Sequence, residues 1–236
     1  MKSIFKSIPA TLAVALPSLL KYHRQSSFLP NTLLHEFTAS CYRRDLPAAI
    51  KALTSMQDHQ IWADSVTYSE LIKCCLARGA IREAKLVHKH IFSDGYQPKT
   101  FLINTLMNMY VKFNLLEEAR ALFDQMLERN VVSWTTMIAA FSNARLDHEA
   151  MELLILMLRD GVRPNMFTYS SVLRACNGLP SLRQIHCGIT KAGLDSDVFV
   201  RSALIDNYSK WGELPNALTV FNEMETSDLI VWNSDW

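Results

Sequence analysis

The chain has 236 residues, 49% of them hydrophobic, and its 24 basic residues nearly balance its 23 acidic ones. This balance excludes a protein that attracts nucleic acid through a strongly basic overall charge. Seven glycines and eight prolines exclude a low-complexity chain, and no apolar run has the length needed to span a membrane.

The first element in chain order is a basic segment that differs from everything after it. The first 35 residues contain no Asp or Glu, and their positive charge comes from Lys2, Lys6, Lys21 and Arg24. This composition is typical of an organellar transit peptide, which we place at residues 1–31. Two alternatives stay open, a secretory signal with its apolar segment at residues 8–20 and a disordered tail. We favour mitochondria over plastids as the location.

One alanine with similar surroundings recurs along the rest of the chain, at Ala49, Ala84, Ala119, Ala150 and Ala217. The first three steps are 35, 35 and 31 residues, and the last step of 67 divides into 35 and 32. A spacing of this size is typical of a solenoid built from one supersecondary unit. A small residue at this place lets two helix backbones approach closely.

Apolar residues at offsets of three, four and seven predict two antiparallel helices in each unit. The predicted pairs, in chain order, are roughly 32–43/46–59, 66–77/80–93, 100–112/115–127, 133–143/146–159, 168–176/181–192 and 199–210/213–225. The repeats then cover about 32–64, 65–99, 100–130, 131–165, 166–197 and 198–228, with the start of an incomplete repeat at 229–236. The expected fold is all-α, a right-handed α-α superhelix (solenoid) of about six helix-turn-helix repeats.

The repeat at 166–197 is irregular because it has 32 residues where its neighbour has 35. Its helix junction contains Gly178 and Pro180, and no alanine stands at the usual place. We therefore predict that its second helix lacks the first turn, and that packing against neighbouring repeats is looser there.

Sequence signals for catalysis and for cofactors are missing. There is no HxE followed by PCxxC, no P-loop and no nucleophile elbow. His88 and His90 are two apart on a predicted helix and do not face one ligand, so we expect no metal site. The five cysteines form no CxxC pair and are interpreted as small apolar core residues in a reducing compartment. We predict a protein that is not an enzyme, without cofactor, small-molecule substrate or membrane.

Two segments carry a resemblance to a known family. The unit VVSWTTMIAAFSNARLDHEAMELLILMLRDGVRPN at 131–165 resembles a pentatricopeptide repeat (PPR), and VFVRSALIDNYSKWGELPNALTVFNEMETSD at 198–228 resembles its short variant. The order of long, short and standard units resembles the PLS subclass of plant organellar RNA-binding proteins, which includes most RNA editing factors. The phrases TYSELIKCC and NMYVKFNLLEEA match that subclass, and the resemblance extends from about residue 34 to residue 236.

The resemblance implies which residues contact RNA. In this family single-stranded RNA lies along the first helices, one base per repeat, and the fifth and last residues of a repeat read that base. The corresponding pairs are Ser69/Lys99, Asn104/Asn130, Thr135/Asn165, Ser170/Asp197 and Ser202/Asp228, where Lys99 departs from the usual Asn or Asp. The second residue packs between neighbouring bases, which implies this role for Val66, Phe101, Val132, Phe167 and Phe199. The implied RNA order is 5′-pyrimidine-A-any-G-3′.

The predicted function is sequence-biased single-stranded RNA binding in organellar RNA processing, as a specificity factor for C-to-U editing (RNA modification), with other editing-complex proteins as partners. Several alternatives stay open. The last-place Asn and Asp residues could only cap the following helix, and the second-place residues could belong to the core. A protein-binding helical-repeat scaffold and an inactive truncated product are the other functional readings. We also expect a truncated family member, because no C-terminal extension or DYW-type domain follows.

Overall fold

The computed structural model describes residues 31–93 and 95–223, and every regular element in these ranges is a helix. The helices are α1 (31–42), α2 (Leu46–Asp58), α3 (Ser65–Arg78), α4 (Ile81–Ile91), α5 (Thr100–Lys112), α6 (Leu116–Gln125), α7 (Val131–Asn143), α8 (Asp147–Arg159), α9 (Met166–Arg174), α10 (Leu179–Lys191), α11 (Val198–Lys210) and α12 (214–223). The predicted all-α fold is confirmed, and the described helix ends lie within about two residues of the predicted ones. Residues 1–30 of the predicted transit peptide and the predicted incomplete repeat at 229–236 lie outside the described residues.

The described helices fall into two compact units that divide between Thr105 and Leu106. In the first unit, α2, α3 and α4 pack on one another around fully buried side chains such as Met56, Tyr68 and Ile91. The Tyr68 ring lies 5.9 Å from both Phe37 and His90 (between ring centroids), and its hydroxyl accepts a hydrogen bond from the Ala63 N–H at 3.1 Å. Aromatic packing therefore fixes the middle of this unit.

In the second unit, the first helices of successive repeats lie side by side. α7 contacts α9, α9 contacts α11, and the second helix α8 packs against α7. Trp134 of α7 is 2% exposed and packs edge-on against Phe123 of α6, with their ring centroids 4.9 Å apart. This arrangement brings the N-terminal turns of α7, α9 and α11 to neighbouring positions, where the candidate site lies.

The turn between the two helices of a repeat has one backbone form in most repeats. It places a residue in left-handed conformation just after the first helix, with φ near +60°. Glycine supplies this conformation at Gly79 (φ 64°), where the sequence predicts a turn. The same conformation is adopted by Arg44, Asn114 and Arg145, with φ between 57° and 60°. The turn is therefore set by the packing of the helix pair as well as by glycine.

The recurrent alanine is the fourth residue of each second helix except α10, and it is buried at all five places. The predicted loss of the first turn of α10 is wrong, because α10 has 13 residues and begins at Leu179. The shortening falls on α9 instead, which has nine residues where α7 has 13. The fourth residue of α10 is Leu182, which is fully buried. The predicted looser packing against neighbouring repeats stays a prediction. An earlier end of α9 leaves room for a leucine at the place of the alanine.

Candidate nucleic-acid interface

The second residue of each first helix from α3 to α11 is an exposed apolar residue. We call these residues the apolar row: Val66, Phe101, Val132, Phe167 and Phe199. Between 53% and 70% of each is exposed. The next residue along each of these helices is at most 1% exposed. The alternative that the apolar row belongs to the core is therefore wrong. Large apolar groups exposed at one place in successive repeats are typical of a binding surface.

The last residue of a repeat caps the first helix of the next repeat. Asn130, Asn165 and Asp197 are the N-caps of α7, α9 and α11, and their side-chain oxygens accept backbone N–H groups at 3.0–3.1 Å. The capping role that the sequence left open is therefore present at all three. Asp228 lies outside the described residues. Base reading by these residues stays a prediction.

In the repeat at 131–165 the fifth and last residues are joined through a residue of the first helix of the next repeat. The Thr135 hydroxyl of α7 lies 2.7 Å from the Thr168 hydroxyl of α9. The Thr168 hydroxyl in turn donates to Asn165 Oδ1 at 3.0 Å. The predicted reading pair Thr135/Asn165 is thus one hydrogen-bonded group, although 30 residues separate its members in the sequence.

The other fifth-place residues differ in how open they are. Ser69 and Asn104 are only 3% and 8% exposed. Ser170 is half-buried, and Ser202 is exposed and donates its hydroxyl to the Val198 carbonyl at 2.8 Å. Lys99, the last residue of its repeat, is exposed. A ligand therefore has its easiest access to the fifth-place residues of the second unit.

A pocket of about 460 Å³ opens beside the bridged pair in the second unit. Its lining includes Val132 and Phe167 of the apolar row, together with Thr135 and Asn165. Lys112, Asn108 and Asn143 also line it, and all three are exposed. The volume lies in the range of small-ligand pockets. The pocket therefore combines apolar faces with hydrogen-bonding groups and one lysine.

Two cations on first helices, Lys112 of α5 and Arg201 of α11, have different surroundings. Lys112 is exposed and lines the pocket. Arg201 is 7% exposed and donates hydrogen bonds to the backbone carbonyls of Asp195 and Glu223. Arg201 therefore holds the loop before α11, whereas Lys112 is placed to meet a ligand.

Sequence reasoning missed the third residue of the first helix, which is a hydroxyl in three repeats. Thr67, Ser133 and Thr168 are buried, and each bonds the side chain that caps its own helix, at 3.0–3.1 Å. The signal was present as Asp or Asn followed three residues later by Thr or Ser. Asp64 accepts the Thr67 and Val66 N–H groups, which lowers the pKa of its carboxyl.

The cysteines and the histidines His88 and His90 form no candidate site among the described residues. Cys41, Cys74, Cys75 and Cys176 are buried as predicted, whereas Cys187 is exposed. Burial raises the pKa of Cys41 and Cys75 to about 12 and lowers the pKa of His88 and His90. Within the described ranges, no three His, Cys, Asp or Glu residues are grouped to hold a metal ion, and no helix is long and apolar enough to cross a membrane.

Comparison with protein families gives matches along much of the repeat region. Residues 102–131 and 199–229 match the PPR repeat, and residues 129–177 match the PPR repeat family. A mitochondrial pentatricopeptide repeat-containing protein of Arabidopsis thaliana is 56% identical over 229 residues, 97% of this chain and 36% of that relative. Several other relatives are named as mitochondrial and some as chloroplastic, in agreement with the predicted location. The chain spans roughly a quarter to a third of the length of these relatives.

Solved structures match as well. The crystal structure of PPR10 from maize has a TM-score of 0.60 and 26% identity, covering 81% of this chain and 29% of that one. The crystal structure of PPR10 in complex with an 18-nt psaJ RNA element has a TM-score of 0.52 and 22% identity, covering 91% of this chain and 31% of that one. These likenesses agree with the helical-repeat fold described above.

Proposed function

Because this chain belongs to the pentatricopeptide repeat family, we propose that it binds single-stranded RNA along its first helices, one base per repeat. The observation that carries the proposal is the apolar row, in which every second-place side chain is more than half exposed. Aromatic and β-branched side chains in such positions can pack against the faces of unpaired bases. PPR10, which is 26% identical to this chain over the matched region, has a solved complex with an RNA element.

The surroundings of the apolar row favour RNA over an apolar peptide. The pocket between Val132 and Phe167 contains the hydroxyl of Thr135 and the amide of Asn165, which suit the polar edge of a base. Lys112 adds a positive charge for a phosphate. A peptide that buried the apolar row would leave these polar groups to be satisfied by its own side chains.

The proposed biological role is that of a specificity factor in mitochondrial RNA processing, most specifically C-to-U editing. The chain would select the RNA and, without chemistry of its own, present it to other proteins of an editing complex. One pyrimidine and two fully specified bases reduce the number of matching sites only about 32-fold, which is too little to single out one transcript. We therefore propose that further repeats or partner proteins add to the selection.

A gel-shift titration tests the proposal with single-stranded RNAs of about 12 nucleotides that carry 5′-pyrimidine-A-any-G-3′. Phe167→Ala should weaken binding roughly 5- to 150-fold, because one base loses a stacking partner worth about 1–3 kcal/mol. Leu158→Ala is the matched control, since Leu158 is 52% exposed on the second helix α8, outside the apolar row.

Each outcome separates the proposed function from its rivals. Weaker binding in Phe167→Ala with unchanged binding in Leu158→Ala supports RNA contact by the apolar row. Equal effects in both variants, or no RNA binding by the wild-type chain at low salt, would reject it. A non-binding chain that still melts cooperatively would favour the protein-binding scaffold, and a chain without a cooperative melt would favour the inactive product.

A further inference from the structure

The bridge between Thr135 and Asn165 is built on a residue that a ligand cannot touch. Thr168 is 0% exposed, yet its hydroxyl makes three hydrogen bonds. It donates to Asn165 Oδ1 at 3.0 Å, accepts the Asn165 backbone N–H at 3.3 Å and meets the Thr135 hydroxyl at 2.7 Å. A buried hydroxyl has one donor and two acceptor positions, so all of its capacity is used.

The direction of each hydrogen bond follows from counting protons. The backbone N–H of Thr168 can only donate, and it lies 3.0 Å from the Asn165 side chain, so the facing atom is the acceptor Oδ1. The single Thr168 hydroxyl proton then lies between Oγ1 and this Oδ1, because two bare oxygens at that distance would repel. Thr135 must therefore donate its own proton to Thr168.

The pocket is left with two groups of fixed and opposite character. The Thr135 hydroxyl donates its hydrogen bond to Thr168, so its oxygen can only accept a hydrogen bond from a ligand. The Asn165 oxygen is occupied by Thr168, so this side chain offers its Nδ2 hydrogens and can only donate. A matching ligand edge has an amino group beside an unprotonated ring nitrogen, as adenine has at N6 and N1.

We propose that Thr168 is a positioning residue that sets the donor and acceptor order of the Thr135/Asn165 pair, and so selects an amino-bearing base over a keto-bearing one. This inference rests on the proposed RNA-binding function. It adds a residue that determines base preference from α9, the first helix of the next repeat. This residue is buried and out of reach of the RNA. Without the Thr168 hydroxyl, the Thr135 proton is free to rotate toward a keto oxygen.

The test uses the full chain and two RNAs of about 12 nucleotides that differ only at the predicted adenine, which is either adenine or hypoxanthine. Hypoxanthine has the same ring shape but presents a keto oxygen and a ring N–H. The wild-type chain should prefer adenine by about tenfold, the size expected for one well-made pair of hydrogen bonds. In Thr168→Val, which keeps the shape and removes the hydroxyl, the two affinities should differ by less than about twofold.

Three further variants separate positioning from general damage. Thr168→Ser keeps a hydroxyl and should restore the adenine preference. Thr67→Val removes the equivalent helix-capping bond from α3, where Thr67 Oγ1 donates to Asp64 at 3.1 Å, and should leave the preference unchanged. Thr135→Val removes the accepting oxygen directly, so it tests the pair even if Thr168→Val melts too low to be assayed.

The outcomes distinguish this inference from the function beneath it. Absence of RNA binding by the wild-type chain rejects both. Binding with an adenine preference that persists in Thr168→Val or in Thr135→Val overturns the inference and leaves RNA binding intact. Loss of preference in those two variants, with recovery in Thr168→Ser, supports it.

Discussion

At the scale of single residues, each first helix depends on what stands just before it. Asp64 accepts the N–H groups of Val66 and Thr67, both at 2.8 Å, and also the Thr67 hydroxyl at 3.1 Å. An N-cap of this kind contributes about 0.5–2 kcal/mol to stability. Because the backbone N–H of Val66 donates to this cap, Asp64 also fixes the backbone at the first member of the apolar row.

Asp64 gives a prediction about pH. Hydrogen bonds from the Thr67 N–H, above all, lower the pKa of the Asp64 carboxyl in the folded chain. Its ionised form therefore stabilises the fold above the ordinary Asp pKa, and this contribution is lost as pH falls through the lowered value. Asp64→Asn keeps a capping oxygen without a titrating group. Urea unfolding should show that the wild-type advantage over Asp64→Asn shrinks between pH 6 and pH 3, whereas a constant difference would contradict the assignment.

The apolar row and the last-place caps could be predicted from the sequence, and the Thr168 bridge could not. The place of second-place residues such as Phe167 outside the core was implied by the resemblance to the repeat family, whereas their apolar character alone left a core position open. The bond between Thr135 and Thr168 joins two residues that are 33 positions apart in the sequence, and its existence depends on the distance between α7 and α9. The pattern also gave no reason for the burial of Ser69 and Asn104.

At the scale of whole helices, the recurrent alanine shows how one small residue sets a helix crossing. Ala150 is fully buried as the fourth residue of α8, where α8 packs on α7. In α10 the same place holds Leu182, also fully buried, and the partner helix α9 ends after nine residues. The size of the fourth residue and the length of the first helix are therefore matched within each pair.

Exchanging the two residue types should destabilise both pairs. Ala150→Leu forces a larger side chain against full-length α7 and should cost about 1–3 kcal/mol. Leu182→Ala empties the space beside short α9 and should cost about 2–5 kcal/mol. The free energy of unfolding in urea, followed by helical circular dichroism, measures both changes.

Two control substitutions complete this test. Ala121→Leu and Leu158→Ala alter exposed positions on second helices, so each should change the free energy of unfolding by less than about 0.5 kcal/mol. If Leu182→Ala were neutral or stabilising, the match between Leu182 and the length of α9 would be refuted. The same holds for Ala150→Leu and its crossing with α7.

The position of the three missing residues in the irregular repeat was not readable from the sequence. Gly178 and Pro180 suggested a loop in place of a helical turn, yet proline is well tolerated in the first turn of a helix because that turn needs no N–H donor there. α10 accordingly begins at Leu179 with Pro180 in its first turn. Contacts of Leu182, Ile185 and Ile189, each at most 2% exposed, keep this helix at full length.

At the scale of the whole molecule, stability in a repeat protein is spread over neighbouring repeats, so parts of the chain can open separately. The five cysteines are distributed over both compact units, so they can report where the chain opens. Cys41, Cys74 and Cys75 lie in the first unit, and Cys176 and Cys187 lie in the second. Four of them are buried, and Cys187 is exposed. Alkylation of these native cysteines therefore reports local opening without any introduced cysteine.

We expect one fast-reacting thiol in the native chain at pH 8, and Cys187→Ser should abolish it while Cys41→Ser leaves it unchanged. The buried thiols should react only as their surroundings open, because burial keeps the reagent away from them. In Cys41 and Cys75 the pKa raised to about 12 also lowers the fraction of reactive thiolate. Alkylation in rising urea, with each cysteine followed by mass spectrometry, should show Cys41 and Cys75 becoming reactive together, because both are buried in the same unit. Reaction of Cys41 at a clearly lower urea concentration than Cys75 would show that the helices of this unit open one pair at a time.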